Sequence, residues 1–285
     1  MNTPPGRFPE SSSAVPSELF GAVLKLVKEA SALLNGYFRT NALNVELKSD
    51  GTPVSVADKS VDRLFQTRLP SLWPVPVVSE ESPLPEGVER GFDEYWLLDP
   101  LDGTQNFLAG EDEFSIVLAL IKDGASRLGF VAAPAKNVIY GAIQNHGAWR
   151  FVGESQQSIA SPVTTDQIPL RIVTSRFPKP SSLQRVLTFR DQLPLPHADI
   201  RQIGSAYKSM LLLENECDLV VSYDGVSLWD LGGVQCVLSE VGCELREMRT
   251  GGPIRFDLRE GVNVQGYFAY RRGVEIRFDA VRLRG

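Results

Sequence analysis

The chain is poor in the residues that build transition-metal sites and disulfide frameworks. It has only two histidines, His146 and His197, and three cysteines, none in a CxxC pair. Both histidines lie in polar, turn-like segments without a second ligand at metal-binding spacing, so we expect them at the surface and zinc is disfavoured. The odd number of cysteines, Cys217, Cys236 and Cys243, indicates reduced, mostly buried thiols in a cytoplasmic protein.

Long apolar runs, a basic surplus and nucleotide-binding glycine motifs are missing as well. No run approaches the roughly 20 residues that span a bilayer, and residues 1–16 lack the apolar core of a signal peptide, so we expect a flexible tail and no membrane insertion. The net charge of -6 disfavours a nucleic-acid polymer as partner. The absence of GxSxG, P-loop and GxGxxG motifs disfavours serine hydrolases, NTPases and dinucleotide enzymes.

The pattern of apolar residues predicts one compact unit with two subdomains, 17–165 and 166–285. A helix is expected from Ser17, as its N-cap, to about Gly36, and a second from Ala57 to Leu69, where Pro70 stops it. From Phe114 onward, short β-rich runs separated by turn signals predict an antiparallel meander. From about residue 168, strand and helix patterns alternate, including a helix over "SAYKSMLLLENE", which favours a layered α/β second half.

The stretch "YWLLDPLDGTQNF" brings two aspartates to the end of an apolar run. Pro100 is expected to end the central ladder at Asp99, and Gly103 permits a close backbone approach. If a helix starts there, its amides can hold an anion beside the carboxylates of Asp99 and Asp102, which implies a cation between them. The alternative is an ordinary turn at Asp102 with Asp99 as a cap.

Further acidic residues follow apolar runs elsewhere. Glu80 and Glu81 end "VPVVSEES", while Asp58 and Asp230 stand at expected helix starts in "PVSVADKSVD" and "SLWDLGG". Singly, each also fits a helix cap or a solvated loop charge. Together they form a carboxylate set that suits a hard cation such as Mg²⁺.

These motifs resemble the signatures of the inositol monophosphatase superfamily. "DPLDGTQNF" is similar to its DPxDGTxNF motif, and "SEES", "PVSVAD" and "WDLGG" resemble three others in order and approximate spacing. The resemblance implies an α/β fold of layered αβαβα type, with an antiparallel sheet in the N-terminal half and a smaller α/β second half. It also implies a phosphomonoesterase that uses two or three Mg²⁺ ions and is inhibited by Li⁺.

The resemblance also implies a role for each site residue. Glu80, Asp99, the carbonyl of Leu101, Asp102 and Asp230 would bind Mg²⁺, with Glu80 matching the first Glu of the family's pair. Asp58 and Thr104 would orient and deprotonate the attacking water, and the amides of Gly103 and Thr104 would hold the phosphate.

Within the superfamily, the 3'(2'),5'-bisphosphate nucleotidases are most similar. "IVTSR" and "IGSAYK" resemble their "SRSH" and "IGSSLK" segments, which places Arg176, Ser205 and Lys208 toward the nucleotide or its second phosphate. The alternative for Arg176 and Lys208 is a solvated surface charge. The favoured substrate is adenosine 3'(2'),5'-bisphosphate, a small phosphorylated molecule, and a monomer or a homodimer is expected.

Other substrates and one non-enzymatic role stay open. "DGTQNF" is closer to the inositol type than the nucleotidases' "DGTKEF", and "SLWDL" resembles histidinol-phosphate phosphatases. Inositol enzymes use a Glu to bind ring hydroxyls at the position where this chain has Tyr223. Asp224, the next residue, is the candidate to replace that Glu. A catalytically idle member that binds metal or nucleotide as a regulator is the non-enzyme alternative, against which the intact acidic set argues.

Overall fold

The computed structural model describes residues 15–40, 45–47, 53–162, 169–192 and 197–271. The predicted tail, apart from its last two residues, and the predicted subdomain boundary near residue 165 lie outside these ranges. A short antiparallel pair, β1 (Val45–Leu47) and β2 (Pro53–Ser55), precedes the main sheets.

The first half of the chain builds a seven-stranded sheet. Its strands lie in the order of the chain: β3 (Val77–Ser79), β4 (Glu94–Asp102), β5 (Ser115–Lys122), β6 (Ala125–Ala133), β7 (Val138–Ile143), β8 (Gly147–Val152) and β9 (Ser155–Ser158). All neighbouring pairs are antiparallel except β3 and β4, which are parallel. The predicted meander is therefore confirmed, and the sheet as a whole is mixed.

Two helices cover one face of this sheet, α1 (Ser17–Tyr37) and α2 (Val56–Leu72). Every second residue of β5, such as Ile116 and Leu118, packs with their apolar faces, while Val117 and Ala119 face the opposite layer. This alternation follows from the two-residue period of a strand. The seven-stranded sheet is thus buried on both sides.

The ends of the two helices differ from the sequence prediction. Pro16, with an extended backbone, is the N-cap of α1, so the prediction of Ser17 at that position is wrong. Helix α2 continues through Pro70 to Leu72, and the N–H of Trp73 still donates to the Leu69 carbonyl at 2.9 Å. A proline in the last turn removes a single hydrogen bond there, which is too little to end the helix earlier.

The second half contains a five-stranded sheet. Its strands are β10 (Leu170–Ser175), β11 (His197–Ile203), β12 (Leu219–Ser222), β14 (Cys243–Glu247) and β16 (Tyr267–Arg271), in the spatial order β11-β10-β12-β16-β14. Strand β10 runs parallel to β11 and β12, and β16 is antiparallel to its two neighbours. Two further short strands, β13 (Val226–Ser227) and β15 (Asn263–Val264), come between β12 and β16 in the sequence and pair antiparallel with each other.

Helix α6 (Leu228–Glu240) lies between the two sheets, and α4 (Pro180–Gln192) covers the outer face of the second. The layers therefore follow the predicted αβαβα order. Helix α6 lies close to the first sheet. A Cβ atom on Gly233 would lie only 2.3 Å from the Phe130 carbonyl oxygen. The glycine is what lets the helix axis come this near.

Two short α-helices, α3 (Thr104–Leu108) and α5 (Tyr207–Met210), and three 3₁₀ helices of three residues each, Val88–Arg90, Pro134–Lys136 and Leu258–Glu260, complete the described structure. The prediction of a helix over "SAYKSMLLLENE" is wrong beyond the four residues of α5, since turns follow Met210. Asn215 there has a left-handed φ of 56°, which a right-handed helix does not contain.

The cysteines and the first histidine match their predictions. All three cysteines are buried and none of them is in a disulfide, and His146 is exposed. The side-chain environment of His197 lies outside the described residues. In the part of the chain that the structure describes, no helix combines the length and the apolar character needed to cross a membrane.

Candidate active site

A bulge in β4 turns Asp99 and Asp102 to the same side of the sheet. Asp99 pairs opposite Val117 and Asp102 opposite Ser115, so three steps along β4 match two along β5. Residues three apart on a regular strand point to opposite faces, and the extra residue at the bulge removes that difference. The expected strand end at Asp99 is therefore wrong: β4 continues through Pro100 to Asp102.

Gly103 makes the turn from β4 into α3. Its φ is 86°, a left-handed conformation that side chains rarely adopt, and a Cβ atom would lie 3.0 Å from the Glu113 carbonyl oxygen. The turn directs the first amides of α3 to the same cavity wall as the carboxylates.

Three carboxylates from distant parts of the chain meet beside this turn. Glu80 follows β3, Asp99 lies in β4 and Asp230 lies in the first turn of α6. One carboxylate oxygen from each of the three lies within 4.8 Å of the other two. Asp102 is adjacent to this cluster. Its Oδ2 accepts hydrogen bonds from the Ser115 hydroxyl at 3.1 Å and from the Ala206 N–H.

The cluster concentrates negative charge where water has little access. Burial, followed by the charges of Glu80, Asp102 and Asp230, raises the pKa of Asp99 well above its usual range. Burial, followed by Asp102 and Glu80, raises the pKa of Asp230 to about 8. A multivalent cation removes this penalty, and oxygen donors at this spacing fit Mg²⁺.

Thr104 lines the same cavity as the cluster and contacts Asp58, which does not line it. The Thr104 hydroxyl lies 3.2 Å from Asp58 Oδ1 and 3.1 Å from the Leu101 carbonyl oxygen. Asp58 Oδ2 also accepts the Ser55 N–H at 2.8 Å in a capping box at the start of α2. Burial raises the pKa of Asp58, although hydrogen bonds from Ser55 and Thr104 lower it in part.

A buried aspartate that the sequence analysis did not identify holds the Glu80 loop. Asp62 accepts the Ser79 hydroxyl on Oδ1 and the Ser82 hydroxyl on Oδ2, each at 2.6 Å. These two serines flank Glu80 and Glu81 on both sides. The signal that could have found Asp62 is its position one helical turn after Asp58 on the same helix.

Ser205 and Lys208 lie on the cavity wall. Lys208 is buried, and its ammonium group donates to the Ser205 carbonyl at 2.9 Å. Burial by itself lowers the pKa of Lys208, but Tyr267, Asp102 and Asp230 raise it, with a net increase. Lys208 is therefore a buried cation beside the carboxylates, not the solvated surface charge of the alternative.

Arg176 also lines the cavity, but carboxylates surround its guanidinium. Its Nε lies 2.8 Å from Glu111 and its Nη1 lies 3.3 Å from Glu113. Glu113 further accepts the Gly204 N–H at 2.7 Å, so this network joins three loops of the cavity wall. Composition gave no signal for these two glutamates.

The neighbouring residues Tyr223 and Asp224 lie in different environments. Asp224 lines the cavity and accepts the Lys179 backbone N–H at 3.3 Å. Tyr223 does not line it: the ring packs with α4 and β12, with the Arg185 guanidinium 4.4 Å from its centroid. Its hydroxyl has no hydrogen-bond partner among the described residues.

The cavity that joins these groups has a volume of about 450 Å³. Eleven of the thirteen residues that the sequence analysis assigned to a site line its wall: Glu80, Asp99, Leu101, Asp102, Gly103, Thr104, Arg176, Ser205, Lys208, Asp224 and Asp230. Asp58 stands behind Thr104, and Tyr223 lies in the core. Acidic oxygen donors, a hydroxyl–carboxylate pair and free amides thus converge in a space that accepts a small phosphate ester.

A family model described as "Inositol monophosphatase family" matches residues 16–269. The chain belongs to this family. Family members are phosphoric monoester hydrolases that generally depend on metal ions, and the acidic cluster of this member agrees with that chemistry.

Curated relatives cover most of this family member. It is 31% identical over 247 residues to the 3'(2'),5'-bisphosphate nucleotidase CysQ of Escherichia coli strain K12, which is 86% of this chain and 96% of the relative. It is 30% identical over 224 residues to the Haemophilus influenzae protein of the same name, covering 78% and 81% of the two chains.

Solved structures of the inositol monophosphatase family share the fold. CysQ from Bacteroides thetaiotaomicron superposes with a TM-score of 0.76 at 20% identity, covering 90% of this chain and 97% of the other. A staphylococcal IMPase-II with bound 2'AMP superposes with a TM-score of 0.71 at 20% identity, covering 90% of each chain. The αβαβα architecture is therefore that of the family.

Proposed function

We propose that this chain is an Mg²⁺-dependent phosphatase that removes one phosphate from adenosine 3'(2'),5'-bisphosphate. The observation that carries the proposal is the cavity in which one carboxylate oxygen each of Glu80, Asp99 and Asp230 lie within 4.8 Å of one another, on a wall that also carries Thr104, bonded to Asp58. The nucleotide substrate is supported by the curated relatives from E. coli and H. influenzae, both named 3'(2'),5'-bisphosphate nucleotidases. The three buried cysteines, none of them in a disulfide, support a reducing compartment such as the cytoplasm.

The proposed metal ligands are all oxygen atoms. They are the carboxylates of Glu80, Asp99, Asp102 and Asp230 and the carbonyl of Leu101, a set that would hold two or three Mg²⁺ ions. When bound, the ions supply the positive charge that lets a phosphate approach four carboxylates, acidify a coordinated water and stabilise the leaving oxygen. Li⁺ is expected to inhibit by competing at this cluster.

The Asp58–Thr104 pair orients and deprotonates the attacking water. The Thr104 hydroxyl donates to Asp58 Oδ1 and keeps its lone pairs for a hydrogen bond from the water. That hydrogen bond directs the water oxygen toward phosphorus, and Asp58, whose pKa is raised by burial, takes up the proton. The new P–O bond forms as the ester P–O bond breaks, and the leaving hydroxyl is protonated from solvent.

The phosphate is positioned by backbone amides and a buried cation. The N–H groups of Gly103 and Thr104, at the start of α3, donate to its oxygens. Lys208, beside Asp102 and Asp230, adds positive charge near the reacting group, and Ser205 fixes the Lys208 ammonium through its carbonyl.

An inositol monophosphatase is the second candidate, favoured by Asp224. Its carboxylate lines the cavity and can accept hydrogen bonds from hydroxyl groups such as those of a cyclitol. A staphylococcal IMPase-II has also been solved with inositol monophosphate bound, at a TM-score of 0.69 and 21% identity.

Phosphate release from a substrate panel decides between the candidates. The panel contains adenosine 3',5'-bisphosphate, inositol 1-phosphate, histidinol phosphate and fructose 1,6-bisphosphate, each with Mg²⁺ and with EDTA. We expect the highest kcat/KM on the bisphosphate nucleotide, loss of activity in EDTA and recovery on adding Mg²⁺. A higher kcat/KM on inositol 1-phosphate favours the second candidate, and activity that survives exhaustive chelation contradicts the metal mechanism.

A further inference from the structure

One aromatic ring stands exposed on the wall of the cavity. Among the described residues, the large hydrophobic side chains that are exposed are Phe177, at 56%, and Leu84, at 46%. Phe177 lines the cavity and Leu84 does not. An exposed aromatic side chain inside a binding cavity leaves one apolar face available to a ligand.

The loop that carries Phe177 is fixed on both sides of the ring. The preceding residue, Arg176, pairs with Glu111 at 2.8 Å and Glu113 at 3.3 Å. Two residues after the ring, the N–H of Lys179 donates to Asp224 Oδ1 at 3.3 Å. The ring is therefore presented by a held backbone, and little ordering is needed when a ligand packs against it.

Lys179 supplies a positive charge next to this ring. Its side chain is exposed on the cavity wall and has no hydrogen bond or ion pair among the described residues. Arg176, by contrast, has its guanidinium occupied by two carboxylates, and Lys208 is buried beside the metal cluster. Of these three cavity cations, Lys179 is the one that can meet a second anionic group of a substrate without breaking an existing contact.

We infer that Phe177 and Lys179 form a nucleotide subsite, in which the base stacks on the Phe177 ring and the second phosphate pairs with Lys179. Every nucleobase has a π-face that stacks on an aromatic side chain, whereas a cyclitol has none. Arg176 then acts as a positioning residue for the loop and not as a ligand of the second phosphate. The inference rests on the proposed function, since it assigns the parts of the same substrate.

The test compares adenosine 3',5'-bisphosphate with two substrates that each lack one part of it. The base-free 1-O-methylribose 3,5-bisphosphate lacks the base, and adenosine 3'-monophosphate lacks the second phosphate. The readout is the ratio of kcat/KM values between two substrates for each variant, so that a general loss of activity cancels.

Phe177 is tested by the ratio of the base-bearing to the base-free bisphosphate. Phe177→Ala and Phe177→Leu are expected to lower this ratio about tenfold, within the range found when a stacking aromatic is truncated, and Phe177→Trp to keep or raise it. Leu84→Ala, the other exposed apolar side chain, is the matched control and leaves the ratio as in the parent. A ratio that Phe177→Ala and Phe177→Leu do not lower overturns the stacking role.

Lys179 is tested by the ratio of adenosine 3',5'-bisphosphate to adenosine 3'-monophosphate. Lys179→Ala is expected to lower this ratio about tenfold and Lys179→Arg to restore it, because one charged hydrogen bond is lost and regained. Lys25→Ala, an exposed lysine on α1, is the control. An unchanged ratio in Lys179→Ala overturns its pairing with the second phosphate.

Failure of the inference differs from failure of the proposed function. If the parent enzyme hydrolyses adenosine 3',5'-bisphosphate efficiently and neither ratio responds, the subsite is wrong and the function stands. If the parent hydrolyses inositol 1-phosphate but neither bisphosphate, the proposed substrate is wrong and the subsite falls with it.

Discussion

At the scale of single residues, hydroxyl groups hold the acidic side chains of the site. Thr104 contacts Asp58, Ser79 and Ser82 donate to Asp62, and Ser115 donates to Asp102. A hydroxyl satisfies one carboxylate oxygen without neutralising the carboxylate, so the negative charge stays available to a cation. Lysine or arginine at these positions would fix the geometry but weaken metal binding.

The Thr104 hydroxyl is expected to matter for the chemical step. Thr104→Ala removes the group that links the attacking water to Asp58, so kcat should fall by about 10²-fold or more at saturating Mg²⁺. Thr104→Ser keeps the hydroxyl and should recover most of the rate. Steady-state phosphate release measures both, and a Thr104→Ala enzyme with near-parent kcat would exclude the proposed water relay.

Asp62 is expected to act on metal affinity, although it does not line the cavity. In Asp62→Ala, Ser79 and Ser82 lose their acceptor and the Glu80 loop is released, so half-maximal activity should need about 10- to 100-fold more Mg²⁺. The kcat at saturating Mg²⁺ should change less. Magnesium titrations of activity and calorimetric Mg²⁺ binding provide the measurement.

Two further variants separate positioning from general damage. Asp62→Asn keeps one acceptor oxygen and should show a smaller shift in the Mg²⁺ requirement than Asp62→Ala. Glu86→Ala changes an exposed carboxylate and should show none. Equal Mg²⁺ requirements in parent and Asp62→Ala would refute the positioning role.

At the scale of elements, strongly periodic segments were predictable and context-dependent ones were not. Helices α1 and α6 and the strands of the meander follow their apolar period, because each packs one or both faces on a core. The short α5 could not be predicted, since the apolar helical pattern continues past Met210, where the structure forms turns. Strands β14 and β16 were not predicted, and they are ordered mainly by pairing with each other and with β12.

The candidate site was predictable for those residues that a local sequence pattern marks. Asp99, Glu80, Asp58 and Asp230 follow apolar runs or start helices, and sequence alone shows that. The bulge that aligns Asp99 with Asp102 depends on pairing with β5, which no local pattern specifies. The Arg176 contacts and the burial of Tyr223 are equally matters of tertiary packing.

The close contact of α6 with the first sheet gives a stability prediction. In Gly233→Ala the new Cβ would lie 2.3 Å from the Phe130 carbonyl oxygen, so α6 must shift and unfolding free energy should fall by about 1–3 kcal/mol. Gly21→Ala is the matched control: nothing lies within 4 Å of its Cβ, and alanine favours the interior of α1. Denaturant unfolding should show opposite signs for the two variants, and a neutral Gly233→Ala would contradict the packing.

At the scale of the whole molecule, the site is closed by both halves of the chain. The first sheet carries Asp99 and Asp102, Glu80 follows its edge strand, and α6 brings Asp230 from the second half. Their mutual repulsion acts across the layer where α6 meets the first sheet. Until a cation binds, this repulsion therefore destabilises the packing of the two halves against each other.

This repulsion predicts a pH-dependent stability of the metal-free protein. In the folded state, burial and the charges of Asp102 and Glu80 raise the pKa of Asp230 to about 8, whereas in the unfolded chain an aspartate titrates near pH 4. The folded state binds the proton more tightly, so the stability that it gains from the protonated form is complete below about pH 4 and is lost as the pH rises to about 8.

Asp230→Asn isolates this contribution, because the amide keeps the shape and an acceptor for the Ser227 N–H but does not ionise. In EDTA, parent and variant should melt at similar temperatures at or below about pH 4, and at pH 8 the variant should melt higher by about 3 °C or more, the shift that about 1 kcal/mol produces in a chain of this size. Saturating Mg²⁺ should reverse the order at pH 8, because the parent regains its ligand. Thermal unfolding followed by circular dichroism measures each difference, and a gap in EDTA that does not vary with pH would contradict the repulsion assigned to the cluster.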